Sequence, residues 1–393
     1  MPPISVMIKP VSGLCNMRCE YCFYADELAH RGEGIFSPMG EETLEILIRR
    51  IFAYADDFVY LAFQGGEPTL AGAGFFQKVL ELEGRYNSRL LPVHHAIQTN
   101  GLSLDGEMIT VLKKGRFLVG LSLDGTKKIH DARRQDRFGE GTYDRVLETA
   151  GKLRRAGIDY NILCVVGKAA AQHAGEIFDA LAPHGFLQFI PRLEPFEDEN
   201  RVKGHADMSD AVGECQAYDR DVLTAEDFGH FLVETWRCYA HRIRSGHYVS
   251  VRAFDNWINM LSGRPPENCG FAGCCSPNYL VESNGNIYPC DFYALDEWML
   301  GNIKETNFKR LANSEKMKQF CESSRIPDPA CLFCPYGAIC RGGCRRDREP
   351  VQTDGSYGKN RLCTGYRLFF ENCLKDMQRL QQELHEGKIT VKN

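Results

Sequence analysis

No sign of charge dominates this sequence of 393 residues: 47 Lys and Arg stand against 52 Asp and Glu, a net of −5. General nucleic-acid binding needs a strongly basic field, so that class is excluded. Also absent is any uninterrupted apolar run long enough to cross a bilayer. The first ten residues, MPPISVMIKP, lack the long apolar core of a signal peptide. There is no internal repeat and no low-complexity tract. With 44% hydrophobic and 25% charged residues, wholesale disorder is excluded too. These absences predict a soluble cytoplasmic protein that engages neither nucleic acid nor membrane, and the length allows two or three domains.

What the sequence has in quantity is cysteine. Of 17, three fall between Cys15 and Cys22 and eleven lie from Cys269 to Cys373. A chain long enough to build a core does not need disulfides, and a reducing compartment would not keep them. Clustered thiols there point to metal binding or redox chemistry.

The first half alternates short apolar runs with helix-period segments. Candidate strands are Ser5–Lys9, Phe58–Gln64, His94–Gln98, Phe117–Leu123, Tyr160–Val166 and Phe186–Ile190, each followed by turn-forming residues. The clearest helix is Glu41–Tyr54, where Leu44, Leu47, Ile48, Ile51 and Phe52 form one apolar stripe. Repeated strand–helix units predict parallel strands with right-handed crossovers, and six units predict an open, partial (β/α)6 barrel within the α/β class. Chemistry is then expected at the carboxyl ends of the strands. The acidic stretch Glu194–Arg201 marks a boundary or connection, Asp227–Ile243 and Tyr366–Glu386 read as helices, and Tyr279–Cys290 reads as a hairpin turning at Asn284-Gly285. We expect a barrel domain over residues 1–230 and a smaller cysteine-rich domain, with a hairpin and helices, over 231–393.

Cys15-x-x-x-Cys19-x-x-Cys22 directly follows the first strand. Three thiolates this close can wrap one corner of a compact cluster, whereas structural zinc would need a fourth ligand that nothing nearby supplies. A four-iron cubane on three cysteines keeps one iron open to an outside ligand, and Tyr21, Phe23 and Tyr24 would shield it. Zinc is the alternative reading. The spacing, with Phe23-Tyr24 behind it, resembles the radical S-adenosylmethionine (SAM) superfamily, in which the open iron chelates SAM and one electron releases a 5′-deoxyadenosyl radical. The resemblance implies cofactor contacts at Tyr21, at Gly66 and Glu67 of the Gly65-Gly66-Glu67-Pro68 segment, at Ser122, at Arg134 and at Leu193.

The later cysteines comprise Cys269, Cys275, Cys290, Cys331-x-x-Cys334, Cys340-x-x-x-Cys344 and Cys363. Eight thiols suffice for two four-cysteine clusters, and zinc-ribbon spacing is absent. The pattern resembles a SPASM domain, an auxiliary-cluster module of radical enzymes that modify peptides. That resemblance implies Cys269, Cys275, Cys290 and Cys344 for an inner cluster and Cys331, Cys334, Cys340 and Cys363 for an outer one. It favours Cys275 over the adjoining Cys274. Cys164, Cys215, Cys238, Cys321 and Cys373 show no partner pattern and read as buried free thiols.

By composition Asp291, in Tyr288-Pro289-Cys290-Asp291-Phe292-Tyr293, is an ordinary turn residue. Together with LAFQGGEPTLAG, QTNG, FLVGLSLDG, NILCVV and FLQFI, however, the segment closely resembles anaerobic sulfatase-maturating enzymes over nearly the whole chain. The family converts a cysteine or serine in a C/S-x-P-x-R motif of an unfolded sulfatase into Cα-formylglycine. The resemblance implies three [4Fe-4S] clusters, SAM, an electron donor such as flavodoxin or ferredoxin, and Asp291 as catalytic base. Tyr24 and Gln64 are expected to contact substrate. The stretch Asn200–Cys215 departs most from the family pattern. Two rivals are a SPASM maturase that crosslinks a ribosomal peptide and a zinc-binding scaffold or electron carrier without chemistry of its own.

Overall fold

The computed structural model describes residues 3–32, 34–196, 222–348 and 357–391. Six apolar runs form the parallel strands of a partial barrel: β1 (Ile4–Lys9), β3 (Val59–Phe63), β4 (Val93–Thr99), β5 (Leu118–Ser122), β7 (Tyr160–Val166) and β8 (Phe186–Pro191). Two short strands, β2 (Met17–Cys19) and β6 (Arg134–Asp136), pair antiparallel as a separate ribbon beside the barrel mouth. All six expected barrel strands are present within two residues at each end, and the helix Glu41–Tyr54 buries the expected stripe.

The sheet is longer than six strands. β9 (Ser250–Val251) extends it beyond β8, and β10 (Tyr279–Glu282) lies parallel to β1, followed by β11 (Asn286–Tyr288) and β12 (Gly301–Asn302). The expected hairpin at Asn284-Gly285 therefore exists, and its first strand joins the barrel edge in a register that sets Lys9 opposite Glu282. This pairing fixes the cysteine-rich half against the carboxyl ends of β1 and β3.

A second tie is helical. The helix Ala225–Arg244, capped by the Thr224 hydroxyl accepting from Asp227 N at 3.1 Å, crosses the helix Cys363–His385. The expected division after residue 230 falls inside the first of these helices. At the crossing, a Cβ on Gly365 would stand 2.0 Å from Ala225 O, and one on Gly229 2.8 Å from Gly365 Cα. Only glycine permits this backbone approach. Gly365→Ala is expected to push the helices apart and cost about 1–3 kcal/mol, as overpacked sites do. A thermal unfolding midpoint unchanged from wild type would contradict the crossing.

Much of Glu194–Arg201, all of Asn200–Cys215 and Cys215 itself lie outside the described residues. Among the described residues, no helix is long and apolar enough to cross a membrane.

Candidate active site

The loop after β1 carries Cys15, Cys19 and Cys22. Glu67 N donates to Leu14 O at 2.8 Å, which packs this loop on the segment after β3. Gly66 has φ +54°, and a Cβ there would lie 2.2 Å from Leu14 O, so its lack of a side chain is spent on that approach. Glu67 is buried, with four internal donors on its carboxylate: Thr69 N at 3.1 Å, Thr69 Oγ1 at 2.6 Å, Thr99 Oγ1 at 2.7 Å and Asn100 N at 2.7 Å. Burial raises its pKa while those donors oppose the rise. The side chain thus shapes the turn.

The three thiols lie together. Burial pushes Cys19 up to about 12 and raises Cys15 and Cys22, and Cys15 and Cys19 are raised further by their neighbours in the set. The Arg134 guanidinium, with Nη1 3.9 Å from Cys19 Sγ, counters the effect. Arg134 is anchored in turn by Asp124, whose Oδ2 accepts from Arg134 Nε at 2.8 Å and also from the Tyr21 hydroxyl. Val165 N donates to Asp124 Oδ1 at 2.9 Å. Asp124 N donates to His130 Nδ1 at 3.2 Å; burial and then the Arg134 charge hold that imidazole down at about 4. Tyr21, Gly66, Glu67, Ser122, Arg134 and Leu193 all sit at or just beyond carboxyl ends of barrel strands or on the loop and ribbon facing them.

Two further thiol sets form in the second half. Burial raises Cys275, Cys290 and Cys344, and each is raised further by the nearby Cys269; burial likewise raises Cys331, Cys340 and Cys363, and each is raised further by the nearby Cys334. Cys344 thus lies near Cys269, Cys275 and Cys290, across the intervening Cys331–Cys340 stretch. Cys275 faces the first set, whereas Cys274 lines a cavity of about 420 Å³ together with the second. That space is many times the roughly 30 Å³ share of one water. Among the described residues, no three His, Cys, Asp or Glu side chains converge on a single-ion point. Grouped, desolvated thiols with room between them fit multi-iron clusters, whose positive charge offsets the mutual repulsion of the thiolates.

All four described unpatterned cysteines are free thiols, but they are not alike. Cys164 and Cys373 are buried as expected, whereas Cys238 and Cys321 are half-buried, packed against the core from one side.

Asp291 follows Cys290 in a short 3-10 turn and is 7% exposed. Gln64 Nε2, at the end of β3, donates to Asp291 Oδ2 at 3.0 Å, joining two expected site residues 227 positions apart. Lys9 Nζ stands 3.1 Å from Asp291 Oδ1, yet the pair is not aligned as a hydrogen bond and Oδ1 has no donor. Tyr24 is buried beneath Lys9, with Nζ 3.2 Å from its ring centroid, and its hydroxyl is held by Glu282 and by Arg31 Nη2 at 3.2 Å. Phe23 meets Phe292 edge to face, with centroids 5.1 Å apart, bridging the loop of the first thiol set and the turn of Asp291.

The pattern describing the radical SAM superfamily matches residues 10–179, and that of an iron–sulfur cluster-binding domain, SPASM, matches 273–335. The cysteine-type anaerobic sulfatase-maturating enzyme of Clostridium novyi is 37% identical over 373 residues, 94% of this chain and 95% of that one. This chain belongs to the anaerobic sulfatase-maturating enzymes. The serine-type family member of Klebsiella aerogenes is 28% identical, covering 98% of this chain and 88% of its own. The solved structure of native anSMEcpe with bound AdoMet and Cp18Cys peptide superimposes with a TM-score of 0.87 at 34% identity, over 98% of this chain and all of that one. Membership in this family makes the protein an enzyme and gives it the radical SAM barrel and the SPASM domain.

The sequence reading missed Asp124, Lys9 and Glu27, which surround the expected residues. The available signal was a charged residue closing an apolar run, as Lys9 closes ISVMIK and Asp124 follows VGLSL. A larger cleft of about 670 Å³, beside Gln172, His173 and His230, contains none of the expected site residues.

Proposed function

We propose that the protein oxidises a cysteine, within a C-x-P-x-R type segment of an unfolded sulfatase, to Cα-formylglycine. The observation that carries this reading is Asp291 beside Cys290, buried, held through Oδ2 by Gln64 and flanked at Oδ1 by the Lys9 ammonium at 3.1 Å. Preference for cysteine is supported by the higher identity to the cysteine-type relative, 37% against 28% for the serine-type. Oxidation of serine is the second reading, favoured by the 98% coverage of this chain by the serine-type alignment.

In this reading Cys15, Cys19 and Cys22 would hold the SAM-binding [4Fe-4S] cluster. Cys269, Cys275, Cys290 and Cys344 would hold the inner auxiliary cluster, and Cys331, Cys334, Cys340 and Cys363 the outer. When bound, these groups and SAM supply the radical that removes a β-hydrogen and the sink for the second electron. The barrel half, residues 1–230, positions SAM through Tyr21, Gly66, Glu67, Ser122, Arg134 and Leu193. Glu67 acts there through its backbone, since its carboxylate is engaged. Residues 231–393 provide the base and the auxiliary sites.

The Asp291 carboxylate takes the proton of the substrate thiol. Proton loss from the thiol is coupled to removal of the β-hydrogen. Gln64 keeps the carboxylate from rotating, and the Tyr24 ring walls the same space. Hydrolysis of the resulting thioaldehyde releases the sulfur and leaves the aldehyde. The peptide enters extended through a groove between barrel and C-terminal half, and a flavodoxin- or ferredoxin-like protein supplies the starting electron.

Paired peptides carrying Cys or Ser at the target position test the reading under anaerobic conditions. Mass spectrometry is expected to show sulfur replaced by a hydrazide-reactive carbonyl, formed faster from the Cys peptide. Loss of two hydrogens from the Cys peptide with sulfur retained and no carbonyl would point instead to a crosslinking maturase. Purification with zinc and without iron or sulfide would point to a scaffold.

A further inference from the structure

Five charged side chains lie buried where β1 and β10 end: Lys9, Glu27, Arg31, Glu282 and Asp291. Arg31 and Glu282 satisfy each other at 2.8 Å, with Tyr24 as a third member. The other three leave one cation between two carboxylates, with Lys9 Nζ 3.1 Å from Asp291 Oδ1 and 3.8 Å from Glu27 Oε2. Neither oxygen of Glu27 has a hydrogen-bond donor, although the residue is 1% exposed. Burial raises Glu27 to about 8, and the Lys9 charge is the main influence opposing it.

The Lys9 side chain is held along its length. Its stem fills the space left by Gly65, where a Cβ would stand 2.4 Å from Lys9 Cγ and Cδ, and its ammonium rests on the Tyr24 face. A buried lysine is costly unless paired, and none of these contacts lies on the surface. Nothing in the sulfatase-maturating reading assigns Lys9 or Glu27 a task, yet Lys9 Nζ lies 3.1 Å from Oδ1 of Asp291, the residue given the base role.

We propose that Lys9 is a positioning residue that holds the Asp291 carboxylate in place beside Gln64, and that Glu27 is the counter-carboxylate that retains Lys9 there. This rests on the reading of Asp291 as base.

The test uses the reconstituted holoenzyme and the variants Lys9→Met, Lys9→Arg, Lys9→Met/Glu27→Gln and Asp291→Asn. Because Lys9 also acts electrostatically on Cys22, iron per chain and peptide affinity are measured beside activity. In Lys9→Met, formylglycine per 5′-deoxyadenosine is expected to fall about tenfold or more, through kcat with KM and iron little changed, as for a misplaced catalytic group. Lys9→Arg should recover part of the ratio. If Lys9→Met alone folds poorly because Glu27 is stranded, the double variant removes both charges and should fold while keeping the low ratio. A wild-type ratio in the double variant, with Asp291→Asn still inactive, would overturn the role of Lys9 alone. Full product from Asp291→Asn would instead overturn the base assignment beneath it.

Discussion

Asp291→Asn is expected to leave 5′-deoxyadenosine formation near wild type while formylglycine falls by about 10²- to 10⁴-fold, the usual contribution of a positioned general base. The amide matches the carboxylate in shape and can keep a contact with Gln64 Nε2, now 3.0 Å from Oδ2. It cannot accept the thiol proton, and it leaves Lys9 beside a neutral group. Counting both products in one anaerobic reaction by chromatography and mass spectrometry separates radical generation from substrate oxidation. Formylglycine at the wild-type yield would remove the role given to Asp291.

Replacing Cys15, Cys19 and Cys22 together by Ala is expected to abolish SAM cleavage entirely. Iron per chain should drop from about 12 to about 8, since each four-cysteine set in the second half can hold its own four-iron cluster. The eight later cysteines begin at Cys269, far along the sequence from the amino-terminal loop. Undiminished cleavage in the triple variant would overturn the cluster assignment. Loss of nearly all iron would show that the three sets are not independent.

The barrel was legible because each of its strands is a short apolar run ended by a turn former, and a parallel strand buried on both faces has little else to encode. β2, β6 and β9 were not legible, since two or three residues carry no periodicity. The pairing of β10 with β1 was hidden for another reason: it joins residues some 270 positions apart, and no local pattern in Tyr279–Glu282 specifies its neighbour. The grouping of the eight later cysteines came from family likeness and not from spacing, because Cys344 crosses over Cys331–Cys340 to join Cys269, Cys275 and Cys290. Asp291 and Gln64 were each visible as motif residues, but their meeting was not. Lys9 and Glu27 escaped notice because a lysine ending a strand and a glutamate in a short helix ordinarily face water.

The parallel contact of β10 with β1 also determines what truncation would do. A chain cut before Tyr279 would bare the whole hydrogen-bonding flank of β1, since Val6–Lys9 now pair there with Tyr279–Glu282. An unprotected strand of apolar residues recruits copies of itself. The barrel shorn of its cysteine-rich half should therefore self-associate and precipitate, so the two halves form one cooperative unit and have to be inherited together.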